Sequence, residues 1–164
     1  MRLFFWDASA LSKRYTEETG VEVVDALFDT VPIEEMTSTP LGYAETYSII
    51  LRRYNGGALS LQTFTDGITT LQAEFLDNPD FTFYNISDAV IFRSIATMKR
   101  HNLNATDAAI LTLVLELAGA SDAPTCIVVA SDKRLVRAAE AEGLATLNPE
   151  TLALADVPAF LTSL

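Results

Sequence analysis

Two short apolar runs, each leading into an acidic residue, constrain this chain most. Leu3-Phe4-Phe5-Trp6 leads into Asp7, and Cys126-Ile127-Val128-Val129-Ala130 leads into Ser131-Asp132. Continuous apolar runs of this length read as strands buried on both faces. Each is followed at once by helical spacing, over Ala8–Tyr15 and over Asp132–Glu142. Strand then helix, repeated, is the pattern of a parallel sheet covered by helices on both sides.

The stretch between them keeps the alternation. Gly20–Phe28 turns Val21, Val24, Ala26 and Phe28 one way and Glu22, Asp25 and Asp29 the other. Ile33–Ser38 reads as a strand. Thr39-Pro40 supplies a cap and a first-turn proline for a helix from about Leu41 to Tyr54, which Asn55-Gly56-Gly57 stops. Ser60–Leu76 is a second amphipathic helix, and Asn78-Pro79 breaks it. Asp80–Asn85 alternates like a strand. Ser87 caps a helix to about Arg100, and Asn104 starts another to Leu117 that is apolar nearly all round and should be buried. Gly119–Pro124 is a loop, and Leu144–Leu147 a last short strand. The expectation is a three-layer α/β/α fold with a mainly parallel sheet of about five strands, in a single domain over 1–164.

Composition narrows what such a fold can do. The chain has 164 residues, 49% of them hydrophobic, enough to bury a core without staples. Its 11 Lys+Arg against 22 Asp+Glu leave a net charge of −11, the wrong sign for gripping nucleic acid by charge alone. The single cysteine, Cys126, excludes an internal disulfide and a cysteine-rich zinc site, and its strand context makes it an inert core residue. One histidine makes a His-rich zinc or iron site a poor fit. No apolar run is long enough to span a membrane, and the start is too short for a signal peptide, so a cytoplasmic location is expected.

Ligands in parallel α/β sheets bind beyond the C-terminal strand ends. Asp7 and Asp132 stand at two such ends. Glu45 falls in the second turn of the helix after Pro40, and Asp107 in the first turn of the buried helix. If those helices start at the same rim, four carboxylates converge. Each acid also has a local explanation. Asp7 and Asp132 suit N-caps, Asn104 with Asp107 has capping-box spacing, and Glu45 suits an exposed helix face. Taken together, clustered acids without matching basic core residues point to a hard divalent cation such as Mg²⁺, which takes carboxylates, waters and phosphate oxygens. Eight of the basic residues fall in adjacent pairs near these acids (Lys13/Arg14, Arg52/Arg53, Lys99/Arg100 and Lys133/Arg134), as a phosphate-gripping rim or as solvated helix ends.

Phe5-Trp6-Asp7-Ala8-Ser9-Ala10-Leu11 resembles the opening of PIN-domain nucleases. Glu45 resembles the family's second acid, Ala105-Thr106-Asp107-Ala108-Ala109 its third motif, and Ala130-Ser131-Asp132-Lys133-Arg134 its fourth. The chain length and the Asp-Ala-Ser-Ala-Leu opening are most similar to VapC-type toxins of toxin–antitoxin pairs. The resemblance implies a Mg²⁺- or Mn²⁺-dependent endoribonuclease, a homodimer, held in check by a small cognate antitoxin. In that reading Asp7, Glu45, Asp107 and Asp132 are catalytic and bind metal. Ser9, Thr106 and Ser131 orient carboxylates or waters, and Lys13 and Arg134 contact RNA phosphates. The apolar faces of Gly20–Phe28 and Leu59–Leu76 are expected to form the dimer contact. The alternative is a non-catalytic PIN-like module that binds RNA or protein. A haloacid-dehalogenase-like phosphatase would need an acid where Ser9 stands, and a receiver domain an acid where Trp6 stands.

Overall fold

The computed structural model describes residues 2–164; Met1, counted in the expected domain, lies outside them. The elements run β1 (Arg2–Trp6), α1 (Ala8–Leu11), α2 (Lys13–Thr16), α3 (Val21–Thr30), β2 (Met36–Ser38), α4 (Pro40–Asn55) and α5 (Leu61–Leu71). They continue with β3 (Thr82–Phe83), α6 (Asp88–His101), α7 (Ala105–Ala118), β4 (Thr125–Val129), α8 (Lys133–Ala141), β5 (Ala145–Leu147) and α9 (Val157–Ser163). The strands form one sheet in the order β3-β2-β1-β4-β5, and every neighbouring pair is parallel.

The two-residue period of a strand divides the core. Phe4 and Trp6 of β1, with Ile127 and Val129 of β4, face one side and meet Leu11, Val24, Leu27, Ile50, Leu71 and Phe75. Leu3 and Phe5, with Cys126 and Val128, face the other and meet Val90, Ala108, Leu111, Leu135 and Ala138. Strands apolar on both faces are what a sheet sandwiched between helices requires. The three-layer parallel architecture expected from the sequence is the one observed.

Local boundaries moved where propensity met packing. The first helix breaks at Ser12 into α1 and α2. The run from Ile33 starts as a 3₁₀ turn, and only Met36–Ser38 is strand. The helix after Ser60 ends in a π turn over Gln72–Leu76, and the strand expected over Asp80–Asn85 shrinks to two residues. The C-terminal helix α9 was not anticipated; it anchors through buried Val157 and packs Phe160 and Leu161 on the core. In the helix expected over Gly20–Phe28, Val23, Val24 and Leu27 are fully buried, Ala26 and Phe28 are half-buried against the same core, and Val21 is half-buried. Among the described residues no helix is long and apolar enough to cross a membrane.

Candidate active site

The chain runs outward from β1 through β2 to β3, then returns to β4 on the other side of β1. That reversal puts a switch point between β1 and β4, where α/β sheets open a crevice at their C-terminal ends. Trp6 pairs with Val129 as the last register step, and the Asp7 N–H donates to the Val129 carbonyl at 3.0 Å. Asp7 therefore leaves the sheet beside the residues that lead to Asp132.

Both acids cap helices, as the local explanation required. Asp7 Oδ2 accepts the Ser9 N–H and hydroxyl, and Asp132 Oδ1 accepts the N–H groups of Arg134 and Leu135 at 2.7 and 3.1 Å. Each carboxylate keeps one oxygen that takes no hydrogen bond from the described residues. Capping and a second role are thus compatible. The Ser9 hydroxyl also accepts the backbone N–H groups of Ser131 and Asp132, at 2.9 and 3.1 Å, and so locks the two strand ends together.

Glu45 reaches the same crevice because α4 starts close against the sheet. Thr39 caps α4 by accepting the Gly42 N–H at 2.8 Å. Gly42 makes the approach possible: a Cβ there would stand 2.6 Å from Ser38 Oγ, which donates to the Trp6 carbonyl. One turn further, Glu45 faces the crevice, followed at helical spacing by Ser48 and Arg52. Asp107 arrives on the first turn of α7. Asn104 Oδ1 accepts its N–H at 2.9 Å, and Asn104 Nδ2 donates to its Oδ2 at 2.8 Å.

The result is a cleft of about 230 Å³ lined by Asp7, Ser9, Glu45, Ser48, Arg52, Asn104, Asp107 and Asp132. Its electrostatics mark it. Burial raises the Asp7 pKa, and the Asp132 charge adds to the rise while the Ser9 hydrogen bonds oppose it. Burial, then the charges of Asp7 and Asp107, raise Glu45, with Arg52 pulling back. Burial, then Asp7 and Asp132, push Asp107 up to about 6, with Arg134 and Asn104 pulling back. The four acids thus act on one another in a site short of positive charge. Among the described residues, no three acids or other ligating side chains form a group that could hold a metal ion by themselves. A larger cavity, about 480 Å³, lies elsewhere, between α8, β5 and α9, and its walls carry a single acid, Glu140. Chemistry rather than size picks out the acid cleft.

The remaining expected site residues separate. Ser9 is at the centre of the cleft. Arg134 is exposed on α8, close enough to Asp107 to act on its charge. Lys13 is not available to a phosphate: its side chain is 4% exposed, and its Nζ pairs with Glu150 at 2.6 Å. Ser131 contributes its backbone N–H, while its hydroxyl is buried without a partner and meets no carboxylate. Thr106 points out of the cleft into a neighbouring apolar cavity with Leu41, Ile86 and Ile91. Helical spacing explains this last correction, since residues adjacent in a helix sequence lie about 100° apart. Ser48, Arg52 and Asn104 are the polar wall residues not singled out as site residues from the sequence, and Ala8 and Ile49 complete the lining. Arg52 stands seven residues after Glu45, two turns along the same face, and that spacing was a usable signal.

Solved structures share this architecture. PAE2754 from Pyrobaculum aerophilum superposes with a TM-score of 0.63 at 16% identity, over 96% of each chain. FitAcB from Neisseria gonorrhoeae gives 0.60 at 18% identity, over 92% of this chain and 100% of its own. Mycobacterium tuberculosis VapC20, a sarcin–ricin loop cleaving toxin, gives 0.62 at 12% identity, over 87% and 96%. No curated protein matches the chain. The family model for the PIN domain matches residues 4–141, a span that contains all four cleft acids, and the chain belongs to the PIN domain family.

Proposed function

We propose that this chain is a divalent-metal-dependent endoribonuclease, the toxin of a toxin–antitoxin pair. One observation carries the reading. Asp7, Glu45, Asp107 and Asp132 line one cleft, with three of their pKa values raised by burial and by one another's charge. Such crowding is costly without a cation. An all-oxygen donor set with open carboxylate oxygens fits Mg²⁺ or Mn²⁺. Mg²⁺ keeps several waters and needs only one or two carboxylates plus substrate oxygens, so a ready-made cage of three acids is not required.

Asp7, Glu45, Asp107 and Asp132 would hold the ion or ions. The chemistry supplied there is a water made acidic enough to attack at neutral pH and charge neutralisation on the phosphodiester. The protein's own part is positioning. Ser9 fixes Asp7 and the backbone of Asp132, and Asn104 fixes the Asp107 carboxylate. Arg52 and Arg134 attract the phosphate to a cleft that would otherwise repel it. Buried Ser38 and Thr39 hold the start of α4 against β1, Ser38 donating to the Trp6 carbonyl and Thr39 accepting the Gly42 N–H.

The toxin assignment draws on VapC20, whose name gives it as a toxin that cleaves the sarcin–ricin loop. A small antitoxin is the partner that this reading requires. A homodimer belongs to the same reading, through the apolar faces of Gly20–Phe28 and Leu59–Leu76, where Leu61 and Leu76 are exposed. Purified protein should cut RNA with Mg²⁺ or Mn²⁺ and stop with EDTA, and Asp7→Asn should abolish the cutting. Metal-independent cutting, or equal cutting by Asp7→Asn, would overturn the nuclease. Metal binding without any cutting would favour the binding module.

A further inference from the structure

Arg2, Lys13, Arg14, Arg53, Arg93 and Arg100 are each paired with an acid. Among the described residues, Arg52, Lys99, Lys133, Arg134 and Arg137 make no such pair. Arg52 and Lys99 stand in the last turns of α4 and α6, where the helix dipole favours a cation. Lys133, Arg134 and Arg137 stand instead in the first half of α8, all exposed. The dipole disfavours Lys133 and Arg134 at that end, and Lys133 and Arg137, one turn apart on one face, repel each other. A chain with 22 acids thus groups three unpaired cations where local forces oppose them. A merely solvated helix start would carry acids.

The ridge adjoins the acid cleft. Asp132 caps α8 and lines the cleft, while the next residue, Lys133, lines the cavity of about 480 Å³ together with Arg137. Arg134 acts on Asp107. Arg137 lies only about 7.5 Å along the helix axis from Asp132, five residues at the ordinary rise. Nothing in the cavity neutralises the two cations. Its walls include apolar Leu152 and Phe160, and its one acid, Glu140, accepts the Thr146 hydroxyl at 2.9 Å. A polyanion meets four carboxylates in the cleft and a net charge of −11 overall, so the attraction that holds it has to come from cations outside the acids. Exposed lysine and arginine side chains supply that attraction through phosphate oxygens, whatever the base.

We infer that Lys133 and Arg137 bind backbone phosphates of the RNA next to the phosphate held in the acid cleft. The inference rests on the ribonuclease reading for its substrate class. The α8 ridge supplies affinity that is independent of sequence and sensitive to salt, and it leaves the chemistry to the acids.

The test compares the full chain with Lys133→Gln/Arg137→Gln, with the charge-keeping Lys133→Arg/Arg137→Lys, and with Lys99→Gln as an unpaired cation elsewhere. Binding of a labelled single-stranded RNA is read by fluorescence anisotropy across a KCl series. All four carry Asp7→Asn and are kept in EDTA, so that nothing is cut and K⁺ alone screens. The glutamine double variant should lower the slope of log affinity against log salt by about 1.4, at about 0.7 for each phosphate contact on a single strand. The same slope makes the loss about 25-fold near 0.1 M KCl and closes it toward 1 M. RNAs of different sequence should lose equally. The charge-keeping variant should restore the slope, and Lys99→Gln should not change it. The glutamine double variant should melt at or above its parent, because it removes repulsion and no ion pair. With Asp7 intact and Mg²⁺ present, it should raise KM and keep kcat. An unchanged slope, an equal fall with Lys99→Gln, or no RNA binding at low salt overturns the inference. Cutting whose KM ignores the ridge overturns it and leaves the nuclease reading standing. Ridge-dependent binding by a chain that never cuts supports the ridge and removes the nuclease reading alone.

Discussion

The hydroxyl of Ser9 accepts the backbone N–H of Asp132 at 3.1 Å while donating to the carboxylate of Asp7. With the Ser131 N–H at 2.9 Å, one small side chain ties the ends of the two central strands and sets the spacing of two acids. Ser9→Ala leaves two backbone donors without that acceptor and Asp7 with one donor fewer. Such losses cost about 1–3 kcal/mol. For a chain of this size that lowers Tm by roughly 2–10 °C. Because the acids also lose their register, the Mg²⁺ dependence of Tm should weaken in the same variant. A Ser9→Ala protein that melts and responds to Mg²⁺ as wild type does would show that the clamp is dispensable.

Asp7→Asn and Asp132→Asn separate capping from metal binding. Asn caps a helix as well as Asp, so a pure cap is preserved by either change. In a carboxylate cluster, removing one charge instead relieves repulsion. The metal-free variants should melt at or above wild type. Wild type should gain about 2.7 kcal/mol with Mg²⁺ at 100 times its dissociation constant, roughly 5–10 °C, and the variants should gain nothing. Thermal melts of all three with Mg²⁺, Mn²⁺ and EDTA decide it. A wild type unmoved by either metal leaves the acids as caps.

Much of this site was legible because strands and caps are local. Leu3–Trp6 and Cys126–Ala130 could hardly be anything but buried strands, and parallel pairing puts Asp7 and Asp132 on one rim. Glu45 and Asp107 followed from helix starts, since Thr39 and Asn104 are recognisable caps. What was not legible depended on long-range partners. Nothing near Lys13 announces Glu150, 137 residues away, as its partner. Thr106 sits beside Asp107 in sequence, and only the orientation of α7 sends it to a different cavity. The helix α9 is short and begins Val157-Pro158, with its stability drawn from packing rather than from any periodic pattern.

Lys13 supplies the third prediction. Its ammonium is buried and bonded to Glu150, which is itself 36% exposed. Lys13→Met keeps the length of the side chain but strands a partly buried carboxylate, costing about 2–3 kcal/mol, less than a fully buried pair because water reaches Glu150. Adding Glu150→Gln should recover most of the loss. RNA affinity of the double variant should equal wild type, whereas Arg52→Ala should weaken it without changing Tm by more than about 0.5 kcal/mol equivalent. Affinity lost in the double variant at restored stability would return Lys13 to the phosphate-binding role.

The last prediction follows from Asp107, held near 6 by burial and by Asp7 and Asp132 against an ordinary value of 3.8. A carboxyl with a raised pKa binds a proton in the folded chain that the unfolded chain has already released. Between about pH 4 and 6 the folded state carries the extra proton, so the contribution of Asp107 to stability falls as pH rises through that window. Above it the full penalty is present. Solvent reaches this carboxyl, so the penalty is screened to about 1–2 kcal/mol, less than two unscreened pKa units would give. Other carboxyls, such as Glu18 and Glu142, are lowered by their basic partners and slope the opposite way. The measurement is therefore a difference: Tm of Asp107→Asn minus Tm of wild type, in EDTA, from pH 4 to 7.5. The difference should be near zero at pH 4 and grow to roughly 2–8 °C in favour of the variant above pH 6.5. With Mg²⁺ the sign reverses, because a divalent ion competes with the proton for the same oxygens and stabilises only the chain that keeps all four acids. That metal effect should fade below about pH 6, and with it RNA cleavage. A difference that stays flat with pH, in EDTA and in Mg²⁺ alike, would mean that Asp107 ionises without facing the other acids, and the shared cleft would lose its electrostatic basis.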